Sequence, residues 1–272
     1  MPYVEREGVR LYYEEQGGGA PLLLIMGLGG DLHLWSNQIA ALAPHYRVIA
    51  FDNRGSGKSN VPPGPYSIAE MADDALAVLD HVGVERAHVL GWSMGGMIAQ
   101  ELAAAHPERV HRLVLLSTVA RSYPWLATWF GWAAQARERG MDTTGMALWL
   151  MPWFYTTAFL SQGEKVQAAL DAAAADPDVI TAEGYAAQAA ACRAYVKTAS
   201  LDRLAAITAM TLVRVGADDV LTPAEYAWEI GERIANAHVA VLAGGGHGVP
   251  LERPDAVDNA VLDFLSFRPA GP

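Results

Sequence analysis

The sequence is poor in cysteine, in basic residues and in long apolar runs. Cys192 is the only cysteine among 272 residues, so no disulfide can form within the chain. The first residues are polar and lack the apolar core of a signal peptide, and no apolar run is long enough to cross a bilayer. Lys and Arg number 19 against 30 Asp and Glu, and the net charge of −11 argues against nucleic acid and anionic membranes as partners. We therefore expect a cytoplasmic protein that binds neither.

Metal and nucleotide signatures are also lacking. The chain has no H-E-x-x-H pattern and no cluster of Cys and His. The stretch "GSGKS" at 55–59 is similar to the end of a phosphate-binding loop, but that motif needs a glycine five residues before the Gly-Lys pair, where this chain has Asp52. We expect no cofactor and no metal ion.

Short apolar runs, each followed by a turn signal, predict the strands. Runs that are apolar on both faces are typical of buried parallel strands. Between several of them lie helical patterns: Ser67 and Glu70 form a capping box, Pro107 stops the helix after Ser93, and Thr222 is a candidate N-cap. This alternation predicts an α/β fold with a doubly wound, mostly parallel sheet. The runs are "PLLLIM", "YRVIAF", "AHVLGW", "HRLVLLS", "TLVRVG" and "HVAVLAG", preceded by an alternating edge hairpin around Val9, Leu11 and Tyr13.

The alternation of strands and helices stops between residues 121 and 200. This stretch is rich in alanine and tryptophan and shows helical patterns without a convincing strand. We predict that it is a helical cap inserted between a first part of the core at 1–120 and a second part at 201–272.

Ser93 is the first candidate for chemistry. It lies in Gly91-Trp92-Ser93-Met94-Gly95, a G-x-S-x-G pattern that follows a predicted strand and opens a helix. A sharp strand-to-helix turn strains the serine backbone, and only small residues two positions away fit beside it. The hydroxyl then stands above the sheet at a helix N-terminus. A tight turn with an idle serine is the alternative.

A serine needs a base and an acid to become a nucleophile. His247 lies in a glycine-rich loop after the last predicted strand, which brings it to the carboxyl edge of the sheet. Asp218 and Asp219 follow the preceding strand, and chemistry alone does not choose between them. The glycine-rich loop in "LLLIMGLGGD" and the N–H of Met94 are candidates for an oxyanion hole.

These motifs together resemble the α/β-hydrolase superfamily, in particular its small bacterial esterases, enol-lactonases and cofactor-free haloperoxidase-like members. The family's G-x-x-D-x-x-T-P pattern begins at Gly216 and assigns the acid to Asp219, and its G-H-x-x-x-x-E-x-P pattern places the base at His247. The resemblance also implies that Asp52 and Arg54, in "DNRGSGKS", brace loops at the sheet edge. The family's usual His-Gly is here Met26-Gly27, and by position Leu28 donates the second oxyanion N–H.

Aromatic residues of the cap are candidates for a substrate pocket. Trp125, Trp129 and Trp132 recur at spacings of four and three, which predicts a common helix face. We place Trp125, Trp129, Trp153 and Phe154 in this pocket together with Trp92 beside the serine. The alternative is that they only hold the cap helices together. A carboxylate-bearing lactone would need a cation, for which the candidates are Arg121, Arg193 and Lys197.

The sequence thus predicts a serine hydrolase of carboxylic esters or lactones with an apolar or aromatic group, acting through Ser93, His247 and Asp219. Enol-lactone hydrolysis, perhydrolysis and hydrolysis of a carbon–carbon bond use the same triad and stay open. A small-molecule receptor built on the same fold is an alternative of a different class. The oligomeric state is also open, a homodimer included.

Overall fold

An eight-stranded, mostly parallel sheet forms the centre of the computed structural model, which describes residues 2–121, 123–176 and 180–267. The strand order is β1-β2-β4-β3-β5-β6-β7-β8. Only β1 with β2 and β2 with β4 pair antiparallel, so the predicted edge hairpin and parallel sheet are confirmed. The strands are β1 (Tyr3–Arg6), β2 (Val9–Gly17), β3 (Pro21–Ile25), β4 (Arg47–Phe51), β5 (Ala87–Trp92), β6 (Val110–Leu116), β7 (Met210–Gly216) and β8 (Ala237–Leu242).

Helices cover both faces of this sheet, which explains why its central strands are apolar throughout. In β3, Leu23 and Ile25 belong to one buried cluster, while Leu22 and Leu24 belong to the cluster on the other face. Because successive side chains of a strand point to opposite faces, such a strand must be apolar at every position. The flanking helices are α1 (Ser36–Leu42), α2 (Ile68–His81), α3 (Met94–Ala105), α9 (Ala224–Gly231), α10 (Val249–Glu252) and α11 (Pro254–Ser266).

The chain between β6 and β7 is helical, as the sequence predicted for residues 121–200. Its described residues contain five α-helices and no strand: α4 (Pro124–Glu138), α5 (Thr143–Phe154), α6 (Thr157–Leu160), α7 (Gly163–Ala175) and α8 (Ala182–Thr198). Over the ranges that the structure describes, no helix is both long and apolar enough to span a membrane.

The helix start predicted at Thr222 is wrong by one position. Ser67 does cap α2, because its hydroxyl accepts a hydrogen bond from the N–H of Glu70. Helix α9, however, begins at Ala224 with Pro223 in the cap position. The Thr222 hydroxyl instead donates a hydrogen bond to the Asp219 carboxylate. A hydrogen bond to this charged group is stronger than the one that the hydroxyl would accept from a neutral N–H at the helix end.

Candidate active site

Ser93 lies in the turn between β5 and α3, with φ 58° and ψ −117°. This left-handed conformation is costly for a residue with a side chain and persists only where the surroundings enforce it. The flanking glycines show how. A Cβ on Gly91 would come within 2.6 Å of the carbonyl carbon of Gly95, and a Cβ on Gly95 within 2.6 Å of the carbonyl carbon of Ile25. Backbone therefore packs on backbone at both positions, as the sequence predicted.

Two further hydrogen bonds hold the serine turn. The N–H of Ser93 donates to the carbonyl of Leu116 at 2.9 Å, and the hydroxyl of Thr118 donates to the carbonyl of Ser93 at 2.8 Å. Both partners belong to β6 or the segment just after it. The turn is thus fixed from the neighbouring strand as well as from its own glycines.

The structure brings Ser93, His247 and Asp219 into one hydrogen-bonded chain. The Nε2 atom of His247 lies 3.0 Å from the Ser93 hydroxyl, and its Nδ1 lies 3.0 Å from Oδ2 of Asp219. The imidazole and the carboxylate are both fully buried. With Nδ1–H donating to the carboxylate, the Nε2 lone pair faces the serine hydroxyl, which is the arrangement a general base requires.

Asp219, and not Asp218, contacts the histidine. Besides Nδ1 of His247, its carboxylate accepts from the N–H groups of Leu221 and Thr222 at 2.9 and 2.7 Å and from the Thr222 hydroxyl at 2.7 Å. Asp218 is exposed on the surface. The Thr222 hydroxyl also lies 3.1 Å from Nδ1 of His247. Sequence reasoning missed this role of Thr222 because it assigned the residue to a helix cap.

Loop contacts fix the position of His247 from both sides. Its carbonyl accepts from the indole Nε1 of Trp92 at 3.0 Å. The N–H of Gly246 donates to the carboxylate of Glu252 at 3.1 Å, and the N–H of Gly248 donates to the carbonyl of Phe154 at 2.7 Å. The last of these contacts reaches the end of α5, so the helical insertion supports the histidine loop directly.

The two backbone N–H groups predicted for the oxyanion hole, those of Leu28 and Met94, belong to turns beside Ser93. Gly27 lies against the serine, since a Cβ on it would be 3.2 Å from that of Ser93. Leu28 follows Gly27 in the loop after β3, and Met94 is the first residue of α3. Within the described part of the chain, neither N–H donates to a protein acceptor. They remain available to a substrate, and the dipole of α3 adds positive potential at the same point.

Residues of the loop after β4 stabilise the loop after β3, which carries Leu28. The amide of Asn53 donates to the carbonyl of Met26 at 2.9 Å, and Asp52 accepts from the N–H of Leu32 at 2.8 Å. Burial raises the pKa of Asp52 to about 6, although this N–H and that of Lys58 favour the carboxylate. The bracing role predicted for Asp52 thus agrees with its contacts, whereas the contribution of Asn53 was missed.

Arg54 and the backbone of the "GSGKS" stretch also form hydrogen bonds within the protein. Arg54 pairs with Asp74 through two hydrogen bonds of 2.6 and 2.8 Å. The N–H groups of Gly55, Ser56, Lys58 and Ser59 donate to acceptors within the same loop. Because these N–H groups have acceptors already, they do not form a phosphate cradle.

An apolar cavity opens above Ser93, between the sheet and the helical insertion. It encloses about 450 Å³ of space not occupied by atoms, its opening to solvent included. Water-sized molecules can occupy about 40 Å³ of this space, whereas a single water needs roughly 10–15 Å³ on the same scale. The cavity therefore has room for only a few water molecules. It is lined by Met26, Gly27, Leu28, Gly30, Leu34, Trp92, Ser93, Trp129, Phe130, Leu150, Phe154, Tyr185 and Leu221.

Three of the five predicted pocket residues line this cavity, namely Trp92, Trp129 and Phe154. The other two do not. Trp125 is 40% exposed, and its indole donates to the hydroxyl of Tyr226 at 2.8 Å. Trp153 is half-buried, with its ring centre 6.1 Å from that of Trp129. Helix α4 was predicted correctly, but of its three tryptophans only Trp129 is buried, whereas Trp125 and Trp132 are exposed. Contacts with other helices decide which of them reaches the interior.

Among the residues that the structure describes, none of those lining the cavity carries a charge. Arg121, one of the three cations considered for a carboxylate-bearing substrate, pairs with Glu229, while Arg193 and Lys197 are exposed. Sequence reasoning also missed Leu34, Leu150, Tyr185 and Leu221 in the lining, for which no sequence signal existed. In the described ranges, no group of three or more His, Cys, Asp or Glu side chains is arranged to hold a metal ion.

Comparison with known proteins agrees with this architecture. A family model described as the alpha/beta hydrolase fold matches residues 20–254. A putative carbamate hydrolase RutD from Azorhizobium caulinodans is 34% identical, covering 97% of this chain and 98% of its own. The enol-lactonase from Burkholderia xenovorans is 32% identical with a TM-score of 0.87, covering 98% and 100%. A thermophilic esterase from Thermogutta terrifontis is 29% identical with a TM-score of 0.84, covering 97% and 96%. The chain belongs to the α/β-hydrolase family.

Proposed function

We propose that the protein is a serine hydrolase that cleaves uncharged carboxylic esters or lactones with a small apolar acyl group. The observation that carries the proposal is the hydrogen-bonded chain from Ser93 through His247 to Asp219, which ends beneath an apolar cavity. The relatives support hydrolysis at a carbonyl group, although their names differ in the bond that is cleaved.

The first half of the reaction forms an acyl-enzyme. The Ser93 oxygen attacks the carbonyl carbon while Nε2 of His247 takes the hydroxyl proton, and Asp219 stabilises the imidazolium. The negative charge on the former carbonyl oxygen is received by the N–H groups of Leu28 and Met94. The tetrahedral intermediate then collapses, and His247 gives its proton to the leaving alcohol.

The second half repeats these steps with water. His247 removes a proton from the water that attacks the acyl carbon, and the same two N–H groups receive the second oxyanion. Collapse breaks the bond to the Ser93 oxygen, which takes the proton back from His247. The products are the acid and the free enzyme, and for a lactone a single hydroxy acid.

The cavity supports the substrate class. Its walls are apolar, and the described residues that line it include no cation to pair with a carboxylate on the substrate. Moving a charged group from water into such walls without a partner costs several kcal/mol. The small free volume above Ser93 favours short acyl groups, since a longer chain would have to displace side chains of the lining.

Two neighbouring aspartates provide a matched test of the triad. Initial rates on p-nitrophenyl butanoate are measured for the parent, Ser93→Ala, Asp219→Asn and Asp218→Asn. We expect kcat to fall by about 10⁴-fold or more in the first two variants and to stay within twofold in the third. Intact mass after fluorophosphonate treatment should show one adduct on the parent and none on Ser93→Ala. Equal labelling of these two proteins would contradict the assignment of Ser93.

Substrate series test the acyl pocket. Across p-nitrophenyl esters we expect kcat/KM to be highest for acetate to butanoate and to fall by at least about tenfold at octanoate. The p-nitrophenyl monoester of adipate, which carries a free carboxylate, should have a kcat/KM at least about 100-fold below that of the hexanoate ester of similar length. Equal rates on this pair would overturn the uncharged substrate class. Stoichiometric labelling of Ser93 without turnover of any ester or lactone would instead favour a small-molecule receptor.

A further inference from the structure

Gln188, on the cap helix α8, contacts the loop that carries Leu28. Its side-chain oxygen accepts from the N–H of Gly29 at 3.0 Å. Its amide nitrogen donates to the carbonyl of Arg54 at 2.8 Å and to the hydroxyl of Ser56 at 2.7 Å. The side chain is fully buried, and both ends of its amide are used. These contacts join the helical insertion to two loops of the core.

The middle of the Leu28 loop is held by this contact and by a backbone hydrogen bond from the N–H of Gly30 to the carbonyl of Gly27 at 3.3 Å. Its start is held at the carbonyl of Met26 by Asn53, and its end at the N–H of Leu32 by Asp52, both from the loop after β4. Between these points, the side-chain hydrogen bond to the loop backbone comes from Gln188, at Gly29. Gly29 directly follows Leu28, so its N–H lies in the planar peptide unit next to the one that contains the Leu28 N–H. Fixing the Gly29 peptide therefore restricts how the Leu28 N–H is oriented.

The neighbours of Gln188 on α8 make this contact precise. A Cβ on Gly184 would come within 3.0 Å of the carbonyl carbon of Gly55, and a Cβ on Gly29 would come within 2.8 Å of the ring of Tyr185. The helix therefore lies against both loops without free space. Residues 184, 185 and 188 share one side of the helix, as a spacing of three to four residues requires.

We infer that Gln188 is a positioning residue for the oxyanion hole: through Gly29 it holds the Leu28 N–H in the orientation that receives the oxyanion. The inference rests on the proposed function. It makes the catalytic step depend on how the helical insertion is seated, because the hydrogen bond crosses from α8 to the core. Gln188 itself does not line the cavity, so it acts on substrate only through this loop.

The test replaces Gln188 with Leu and uses Ser56→Ala as the matched control. Gln188→Leu removes the acceptor for Gly29, whereas Ser56→Ala removes one partner of Gln188 and leaves that acceptor in place. On p-nitrophenyl butanoate we expect kcat to fall about 10- to 100-fold in Gln188→Leu with KM changed less than threefold. Ser56→Ala should stay within about twofold of the parent.

A tetrahedral inhibitor separates positioning from general damage. Butaneboronic acid forms a tetrahedral adduct on an active serine, with an oxygen where the oxyanion develops. Its Ki in Gln188→Leu should rise by about the same factor as kcat/KM falls, while fluorophosphonate still labels Ser93 to completion. If Gln188→Leu does not fold, Gln188→Ala replaces it, because its smaller side chain leaves room for water to satisfy the three partners.

The outcomes for the two proposals are distinct. A parent enzyme that neither turns over esters nor is labelled at Ser93 contradicts the proposed function. A parent that is active, beside a folded Gln188 variant with kcat within twofold and an unchanged Ki for the boronic acid, overturns the positioning role alone. A loss seen in KM only, with kcat retained, overturns it as well, because it would place Gln188 in substrate binding.

Discussion

Replacing Gly95 with alanine is the sharpest test of how the serine turn is built. The new Cβ would lie 2.6 Å from the carbonyl carbon of Ile25 and 2.8 Å from the carbonyl oxygen of Met26. Ordinary contacts begin at 3.4 Å, so the contact with the carbonyl carbon alone requires α3 and the end of β3 to separate by about 0.8 Å, and the closer contact with the carbonyl oxygen of Ile25 requires more. All the obstructing atoms belong to the backbone, and no side chain can rotate away to relieve the overlap.

Both stability and activity should fall in Gly95→Ala. Overpacking of this kind costs about 1–3 kcal/mol, and we expect the upper end because backbone must move. For a chain of this size, 3 kcal/mol lowers the midpoint of thermal unfolding by about 6–12 °C. The same movement separates the Ser93 turn from the loop of Leu28. A displacement approaching 1 Å between reacting groups lowers kcat/KM by roughly 100-fold.

Gly131→Ala is the matched control. Gly131 lies inside α4, and the nearest atom to its added Cβ is Cζ of Arg193 at 3.8 Å. This variant should gain about 0.5–1 kcal/mol, because alanine is the better helix former. Urea unfolding and rates on p-nitrophenyl butanoate are measured for both variants. If Gly95→Ala unfolds within 0.5 kcal/mol of the parent and keeps more than half its activity, the close-packing argument is refuted.

Three other predictions each concern one side chain. Thr222→Val removes one of four donors to Asp219; kcat on the butanoate ester should fall about tenfold at unchanged KM, and an unchanged kcat would contradict this role. Trp125→Phe loses only the partly exposed hydrogen bond to Tyr226, so the acyl-length profile should not change, and a shifted profile would return this residue to the pocket. Burial lowers the pKa of His88 to about 4 from 6.5, so the unfolded chain binds the proton more readily between these values and stability falls as the pH falls through them. Urea unfolding should show the parent losing about 2 kcal/mol more than His88→Phe between pH 8 and pH 5, and parallel losses would refute this.

The sheet and the histidine-serine arrangement were predictable because local chemistry fixes them. Strand β3 must be apolar at every position once helices cover both faces, and this pattern is visible in five residues. The close approach around Ser93 requires glycine at two fixed spacings from it. Asp219 could be chosen over Asp218 only through the family resemblance, since both follow the same strand.

The cavity was only partly predictable because residues far apart in the chain decide its walls. Trp125 and Trp129 lie one turn apart on α4, yet Tyr226 of α9 holds the first at the surface, while the second is buried against helix α5. Gln188 gave no signal at all. It is one polar residue in an alanine-rich helix, and its partners lie more than 130 positions away in sequence.

The apolar cavity also affects the release of the product of the proposed reaction. An uncharged ester gains by leaving water for apolar walls, whereas its product acid is ionised at neutral pH and then lies among described side chains that include no cation. The net charge of −11 on the whole chain acts in the same direction on an anion. Under the proposed function, hydrolysis thus converts a ligand that the site favours into one that it disfavours. Under the proposed function, the lack of charged groups among the described lining residues therefore favours both an uncharged substrate and release of the acid product.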